Sequence, residues 1–384
     1  MKIDIVQFTP VPGGESTWTK ATSLILQEMG HEVRVITPTR SGKKLSGFME
    51  MPNQHFIKEA LLCDELQSAE IIYFVNSIHL QKSKRKSEEE KTEMFNAVRP
   101  IFEGIKNKKV IMHEHGNMYS NHLYRYTDII NILQENGNRV VMTTNLRSSV
   151  GKYEEMGIPA FLTRQPFYPE MYPKVPANKT KKPIFSFNSR YTATKRPQLF
   201  LPLLDKYFKN GDNFEVHFKG NKNDNVTIWY KLTEYFEYPQ VSIKKNVPDM
   251  ITEVSEIYDS ADFCVYPGPS VVSEKGRVEY SMMEAWHYGL PLIVGLDVME
   301  KFNTIEFGYS DDMIFSGMIP MNQTTIDRIM SGNFTDEERM KYVRGGKELL
   351  KEFLPDAFKE RMQKALDFLN SNKKFVKKEK ASLF

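Results

Sequence analysis

Two acids, Glu279 and Glu284, stand five residues apart in the run Arg277-Val278-Glu279-Tyr280-Ser281-Met282-Met283-Glu284-Ala285-Trp286-His287-Tyr288-Gly289. On a helix that spacing turns through about 500°, so the two carboxylates are not stacked neighbours. One lies near the first turn and the other a turn and a half deeper, and they can hold different parts of one ligand. At the start of a helix, free backbone N–H groups and the dipole favour phosphate, and a carboxylate there can accept hydrogen bonds from sugar or ribose hydroxyls. Gly289-Leu290-Pro291 then stops the helix, and Leu292-Ile293-Val294 reads as a short buried strand. Taken alone, the pattern equally fits an amphipathic surface helix with solvated acids.

A basic constellation precedes it. Pro183 to Arg190 is an apolar run ending in a polar loop, followed by Tyr191-Thr192-Ala193-Thr194-Lys195-Arg196-Pro197 and a helix-like segment from Gln198 to Phe208. Arg190 and Lys195 therefore fall between a strand end and a helix start. A diphosphate suits that arrangement: a guanidinium fork binds its oxygens bidentately, and an ammonium supplies a compact charge against a leaving group. A basic loop exposed to water is the alternative reading of this constellation by itself. The acids and cations together fit a phosphorylated sugar better than either does alone.

The elements that must position these groups read as two α/β halves. Ile3 to Phe8 is a strand pattern, Gly13 and Gly14 lie in a loop before a helix from about Thr17 to Met29, and His31 to Thr37 is a second strand. This opening βαβ unit implies a parallel doubly wound sheet, without a GxGxxG fingerprint. Further strands are predicted at Ile71–Val75, Lys109–Met112 and Val140–Asn145. Ligands of open α/β sheets gather at the carboxyl ends of strands, which is where Asn76, Ser77, His113, Glu114 and His115 fall. Either histidine can equally be a packing residue, but an acid between two histidines at a strand end can have its protonation tuned. Arg125 and Arg147, with Lys152 and Arg164, are candidate phosphate contacts as well as ordinary surface charges. Pro166, Pro169, Pro173, Pro176 and Pro183 mark residues 166–183 as a linker able to permit hinge closure. Residues 1–165 form the first domain and 184–355 the second, with strands near 184–188, 214–219 and 241–243. Asp259 to Gly268 reads as a helix end and a buried strand. A helix from about Pro355 to Leu369 lies in a terminal segment, 356–384, that ends in a basic tail.

The 384 residues, 40% apolar and 12% aromatic, suffice for two packed cores. No run of about 18 apolar residues and no signal-peptide pattern is present, which predicts a cytoplasmic protein without a membrane partner. Cys63 and Cys264 lie in apolar surroundings and are expected to be reduced, buried thiols. No carboxylate pair suggests a metal. The net charge of +3 does not announce nucleic-acid binding. The local basic runs, Lys82 to Lys86 and Lys373 to Lys378, read as solvated charge, with phosphate contact as the alternative.

Collectively these residues resemble the retaining GT-B glycosyltransferases, and within them the phage DNA α-glucosyltransferases that modify 5-hydroxymethylcytosine. The general retaining pattern has glutamates eight apart, whereas here Gly276 stands eight before Glu284. The phage enzymes use Glu-Tyr, three residues and Glu, which Glu279-Tyr280 to Glu284 reproduces. Their Arg-x-x-x-x-Lys element is matched by Arg190 to Lys195, and similarity extends to Val75-Asn76-Ser77. His113-Glu114-His115 stands where that family has His-Asp-His, so the acid here is one methylene longer.

The resemblance implies two Rossmann-like domains facing a cleft, with the terminal helix crossing back to the first. It implies a UDP-sugar donor bound by Gly13, Gly14, Arg190, Lys195, Glu279, Tyr280 and Glu284, with Glu284 on the ribose. The catalytic set would be Glu114, His113, Arg190 and Lys195, with no cofactor or metal ion required. Asn76, Ser77, His115, Arg125 and Arg147 would face double-stranded DNA carrying a hydroxymethylated pyrimidine, a modification that serves restriction evasion in bacteriophage. Two other readings stay open: a glycosyltransferase of surface polysaccharide or lipopolysaccharide synthesis, and a non-catalytic nucleotide-sugar-binding protein. The transferred sugar, glucose, arabinose or another, and the oligomeric state are not fixed by these motifs.

Overall fold

The structure, a computed structural model, describes the chain except residues 9, 11–12, 76–86, 115–122, 173–181, 189–194, 220–229, 245–256, 269–277, 303–315 and 372–384. It divides into two compact units: Met1–Pro166 with Pro355–Phe384, and Phe167–Leu354.

The first unit is built on β1 (Lys2–Val6), β2 (Glu32–Thr39), β3 (Gln54–Lys58), β4 (Ile71–Val75), β5 (Lys109–Glu114), β6 (Arg139–Thr144) and β7 (Ala160–Leu162), with helices α1 (Gly14–Glu28), α2 (Leu62–Leu66), α3 (Glu88–Gly104), α4 (Leu123–Glu135) and α5 (Arg147–Glu155). All its strand pairs are parallel, in the order β3-β2-β1-β4-β5-β6-β7. The second unit contains β8 (Ile184–Asn188), β9 (Glu215–Lys219), β10 (Val241–Lys244), β11 (Phe263–Tyr266), β12 (Leu292–Val294) and β13 (Ile319–Pro320). Its helices are α6 (Asp205–Asn210), α7 (Tyr280–His287), α8 (Leu296–Phe302), α9 (Gln323–Met330) and α10 (Asp336–Leu350). These strands too are parallel, in the order β10-β9-β8-β11-β12-β13. The last helix, α11 (Pro355–Asn370), packs on α1, β6 and β7 of the first unit, where Lys359 pairs with Glu28 at 2.9 Å.

Helices covering both faces of a parallel sheet bury every residue of a central strand, so such strands read as continuous apolar runs. All five residues of β4 are buried, and in β8 only Asn188, at the end, is partly exposed. The one acid inside β1, Asp4, is fully buried and is satisfied by Arg34 of β2 in a fork at 2.9 and 2.6 Å.

In both sheets the order reverses once, between β1 and β4 and between β8 and β11. The connections there leave toward opposite faces, which opens a crevice at the carboxyl ends of the strands. That is the feature that positions a ligand.

Two expectations need correction. The segment from Gln198 to Phe208 is not one helix: tight turns span Pro197–Leu199 and Leu201–Leu204, and only Asp205–Asn210 is α-helical. Pro202 lacks the N–H and its ring clashes with a helical carbonyl one turn back, which disfavours a continuous helix here. Cys63 is a free thiol but only half-buried, its Sγ directed to the Ile101 carbonyl, whereas Cys264 is buried.

Candidate functional site

The second unit gathers its polar side chains at the reversal between β8 and β11. Asn188 ends β8 and Tyr266 ends β11. Lys195, shortly after β8, reaches Glu279 with Nζ 2.9 Å from Oε1 and donates to the Tyr266 hydroxyl at 3.4 Å. Glu279 is the residue preceding α7, in extended conformation, and its side chain does not cap its own helix. Its carboxylate is engaged instead with Lys195, at the end of the helix where the dipole favours anions.

Glu284 lies a turn and a half further along α7 and is buried. Its Oε2 accepts from Asn188 Nδ2 at 3.2 Å and from the Tyr258 hydroxyl at 3.1 Å. Asn188 and Tyr258 are themselves 3.1 Å apart. Burial, then the Glu284 charge, push the Tyr172 and Tyr258 phenols well above their ordinary range, so both stay protonated, and Tyr258 donates. A buried carboxylate is tolerable only with such partners. The structure thus joins Lys195 to Glu279 and Glu284 to Asn188. Tyr280, the first residue of α7, is buried at the helix head. Arg190 lies outside the described residues.

Helix α7 is fixed from behind by α10. An added Cβ at Gly346 would come within 2.4 Å of the Trp286 ring, and one at Gly345 within 2.0 Å of the Ser316 carbonyl oxygen. Trp286 Nε1 donates to the Gly317 carbonyl at 3.3 Å. Arg196, in the left-handed region at φ 47°, ties Pro267 O at 2.6 Å to Asp297 at 2.8 Å. It therefore clamps the loop after β11 against the start of α8.

In the first unit, Gly13 and Gly14 open α1 beyond the carboxyl end of β1, where Gly13 O accepts from the Thr17 N–H and hydroxyl at 3.0 and 3.1 Å. His113 and Glu114 end β5. His113 is fully buried, its ring stacked on Trp18 of α1 at 4.0 Å between centroids and its Nδ1 3.0 Å from the Thr143 hydroxyl. Tyr73 bonds the same hydroxyl at 3.1 Å. Glu114 is buried too, and its burial raises the carboxyl to about 8. A Ser149 hydrogen bond, the Lys152 charge and a Tyr153 hydrogen bond, all from α5, pull the other way and are outweighed. Arg147 begins α5 and is exposed. Asn76, Ser77, His115 and the side chain of Arg125 lie outside the described residues.

Sequence reasoning missed Asn188 and Tyr258, which hold Glu284, Tyr266, which meets Lys195, and Trp18, which stacks on His113. Asn188 carried a usable signal, being a polar residue closing an apolar strand. Gly345-Gly346 within a helical pattern carried another, since paired glycines mark a close approach.

No protein-family model matches the chain, and none of the curated proteins matches it in sequence. The fold is that of the GT-B glycosyltransferases. Among solved structures the chain is similar to an α-glucosyltransferase in complex with UDP-glucose and DNA containing an abasic site, at TM-score 0.69 and 14% identity over 97% of this chain and 100% of that one. A complex of α-glucosyltransferase with UDP and a 13-mer DNA containing an HMU base gives TM-score 0.66 and 14% identity, again over 97% and 100%. The pneumococcal O-GlcNAc transferase GtfA, with UDP and GlcNAc, gives 0.61 and 9% over 97% and 99%. At these identities the likeness is one of fold.

Proposed function

We propose that the protein is a retaining glycosyltransferase that moves a sugar from a UDP-sugar to the hydroxymethyl group of 5-hydroxymethylcytosine in DNA, in the cytoplasm of a host cell. The observation that carries this reading is the Lys195–Glu279 pair at the head of α7 with Glu284 held beside it by Asn188 and Tyr258. A cation at a helix head suits a diphosphate, and a buried carboxylate with fixed orientation suits the two hydroxyls of a ribose.

In this reading Arg190 and Lys195 receive the charge that builds on the β-phosphate oxygen as the bond from sugar C1 to that oxygen breaks. Their interaction grows toward the transition state, so they raise the rate and not only the affinity. Glu279 and Tyr280 orient the sugar, Glu284 holds the ribose, and Gly13 and Gly14 let backbone approach the donor. The acceptor oxygen forms its bond to C1 on the face the leaving group vacates, and its proton passes to the Glu114 carboxylate. His113, wedged between Trp18 and Thr143, fixes the end of β5 that carries Glu114. Asn76, Ser77, His115, Arg125 and Arg147 face the DNA. Fixed cations do the work at the leaving group, so no metal ion is required. A hydroxymethyl base inside a duplex must leave the stack to reach such a site.

A glycan or protein acceptor is the second reading, favoured by the net charge of only +3 and the comparable fold likeness to GtfA. Incubation with a panel of UDP-sugars and hydroxymethylated duplex DNA, followed by nucleoside mass spectrometry, separates the two. A hexose or pentose added to the modified nucleoside is expected. Donor consumption only with a glycan or protein acceptor would exclude DNA, and donor binding without turnover on any acceptor would leave a binding protein.

A further inference from the structure

At the carboxyl ends of β6 and β7 the first unit holds two carboxamides that the roles above do not use. Asn145 directly follows β6 and is 6% exposed, while Gln165 lies three residues past β7 and is 2% exposed. Among the described residues, both polar atoms of each amide, Nδ2 and Oδ1 of Asn145 and Nε2 and Oε1 of Gln165, have no hydrogen-bond partner. Each buried amide atom left so carries an uncompensated desolvation penalty, and an apolar residue of similar size avoids it. The other end of β6 shows what a structural amide looks like here. Asn138, equally buried, donates to the Ile105 and Leu133 carbonyls at 2.7 and 2.8 Å and accepts from Lys108 N at 2.7 Å.

The two amides share one edge of the sheet. Thr144 lies opposite Leu162 in register, Thr163 N donates to Thr144 O at 2.9 Å, and Arg164 Nη1 reaches Asn145 O at 3.4 Å. Across the other side of β6, Thr144 lies opposite Glu114. Arg164, buried and at φ 62°, holds the left-handed conformation immediately before Gln165, a strain that side-chain-bearing residues keep where a site requires it.

A carboxamide offers a donor and an acceptor side by side without charge. Phosphate oxygens accept only, so they would pair with the amide N–H but leave its oxygen unsatisfied. An adjacent donor and acceptor on a planar edge, as a nucleobase presents, does match it. That edge of a pyrimidine becomes accessible once the base is out of the stack. We propose that Asn145 and Gln165 read the hydrogen-bonding edge of the acceptor pyrimidine, beside the acid that takes its hydroxyl proton. The inference rests on the DNA-acceptor reading above and adds a base-recognition site to it.

The test uses the full chain, the UDP-sugar that the wild type consumes, and duplexes carrying a single hydroxymethylcytosine or hydroxymethyluracil. Asn145→Leu and Gln165→Met are compared with Asn138→Leu as the structural control. The expected result for the first two is a fall of about 5- to 150-fold in kcat/KM for DNA, with UDP affinity unchanged and a melting temperature equal to or above that of the wild type. Asn138→Leu lowers the melting temperature. Unaltered kcat/KM on both duplexes in both variants, with the wild type active, overturns the base-reading role alone. A melting temperature lowered as in the control, with loss of UDP affinity in step with transfer, overturns it in favour of a structural role. A wild type that glycosylates neither duplex removes the DNA-acceptor reading and this inference with it.

Discussion

Replacing Glu114 by glutamine isolates the effect of burying an acid at the end of β5. Burial lifts the carboxyl from 4.5 to about 8. Between those values the folded chain binds a proton that the unfolded chain has released, so wild-type stability falls as pH rises through that window and levels off above it. The slope approaches about 1.4 kcal/mol per pH unit, giving a loss of about 2 kcal/mol between pH 6 and pH 8. Glutamine has nearly the same shape and carries no titrating proton. The unfolding free energy of Glu114→Gln relative to wild type is therefore expected to grow by about 2 kcal/mol across the same interval. Denaturant unfolding at several pH values, followed through Trp18 beside His113, reads this directly. A difference that stays constant from pH 6 to pH 8 would refute the reasoning, because the carboxyl would then titrate as if exposed. The same group, acting as the acceptor for a proton, gives transfer a rising limb near pH 8, and Glu114→Gln removes transfer while leaving donor binding in place.

Lys195→Ala, and likewise Arg190→Ala, should lower kcat by roughly 10²- to 10³-fold, about 3–4 kcal/mol, with a smaller change in donor affinity; wild-type turnover in either variant would remove it from the leaving-group role. Tyr258→Phe deletes a donor to buried Glu284 and to the Ser281 carbonyl, and is expected to weaken UDP binding by about 1–3 kcal/mol in calorimetry. Gly345→Ala forces a methyl against the Ser316 carbonyl and should destabilise the second unit by about 1–3 kcal/mol, read as a lowered denaturant midpoint. EDTA should leave transfer unchanged; a loss that added magnesium or manganese restores would show that fixed cations do not suffice.

The parallel strands were legible because two-sided burial writes them as apolar runs: strands read at Ile71–Val75, Lys109–Met112 and 184–188 fall within β4, β5 and β8. β3 was not, because Gln54–Lys58 lies at the edge with no buried residue and its sequence mixes polar and apolar types. β7 and β13, three and two residues long, are too short to show a period. The acids of α7 and the cation at Lys195 stood out by type and spacing. Their partners did not, since Asn188 meets Glu284 across 96 residues of chain. That contact exists only because β8 and β11 pair, a long-range fact that no local pattern encodes.

That same pairing explains why residues so far apart in sequence meet. A parallel sheet sends every strand's carboxyl end to one edge, and a reversal in strand order parts the connections there without opening the hydrogen-bonded core. In the second unit the reversal brings Asn188, Tyr266 and the head of α7 together. The cations and acids can then be tuned by loop substitutions while the apolar runs keep the sheet intact. In the first unit the corresponding edge carries Gly13 after β1, Glu114 at the end of β5 and Asn145 after β6. The core demands only apolar bulk in each strand, which many sequences satisfy, so the fold persists at 14% identity. The edge demands particular polar groups, and it is there that Glu114 and Asn145 are placed. Glu114 is buried at that edge, and burial is the largest cause holding its carboxyl above the ordinary carboxylate range.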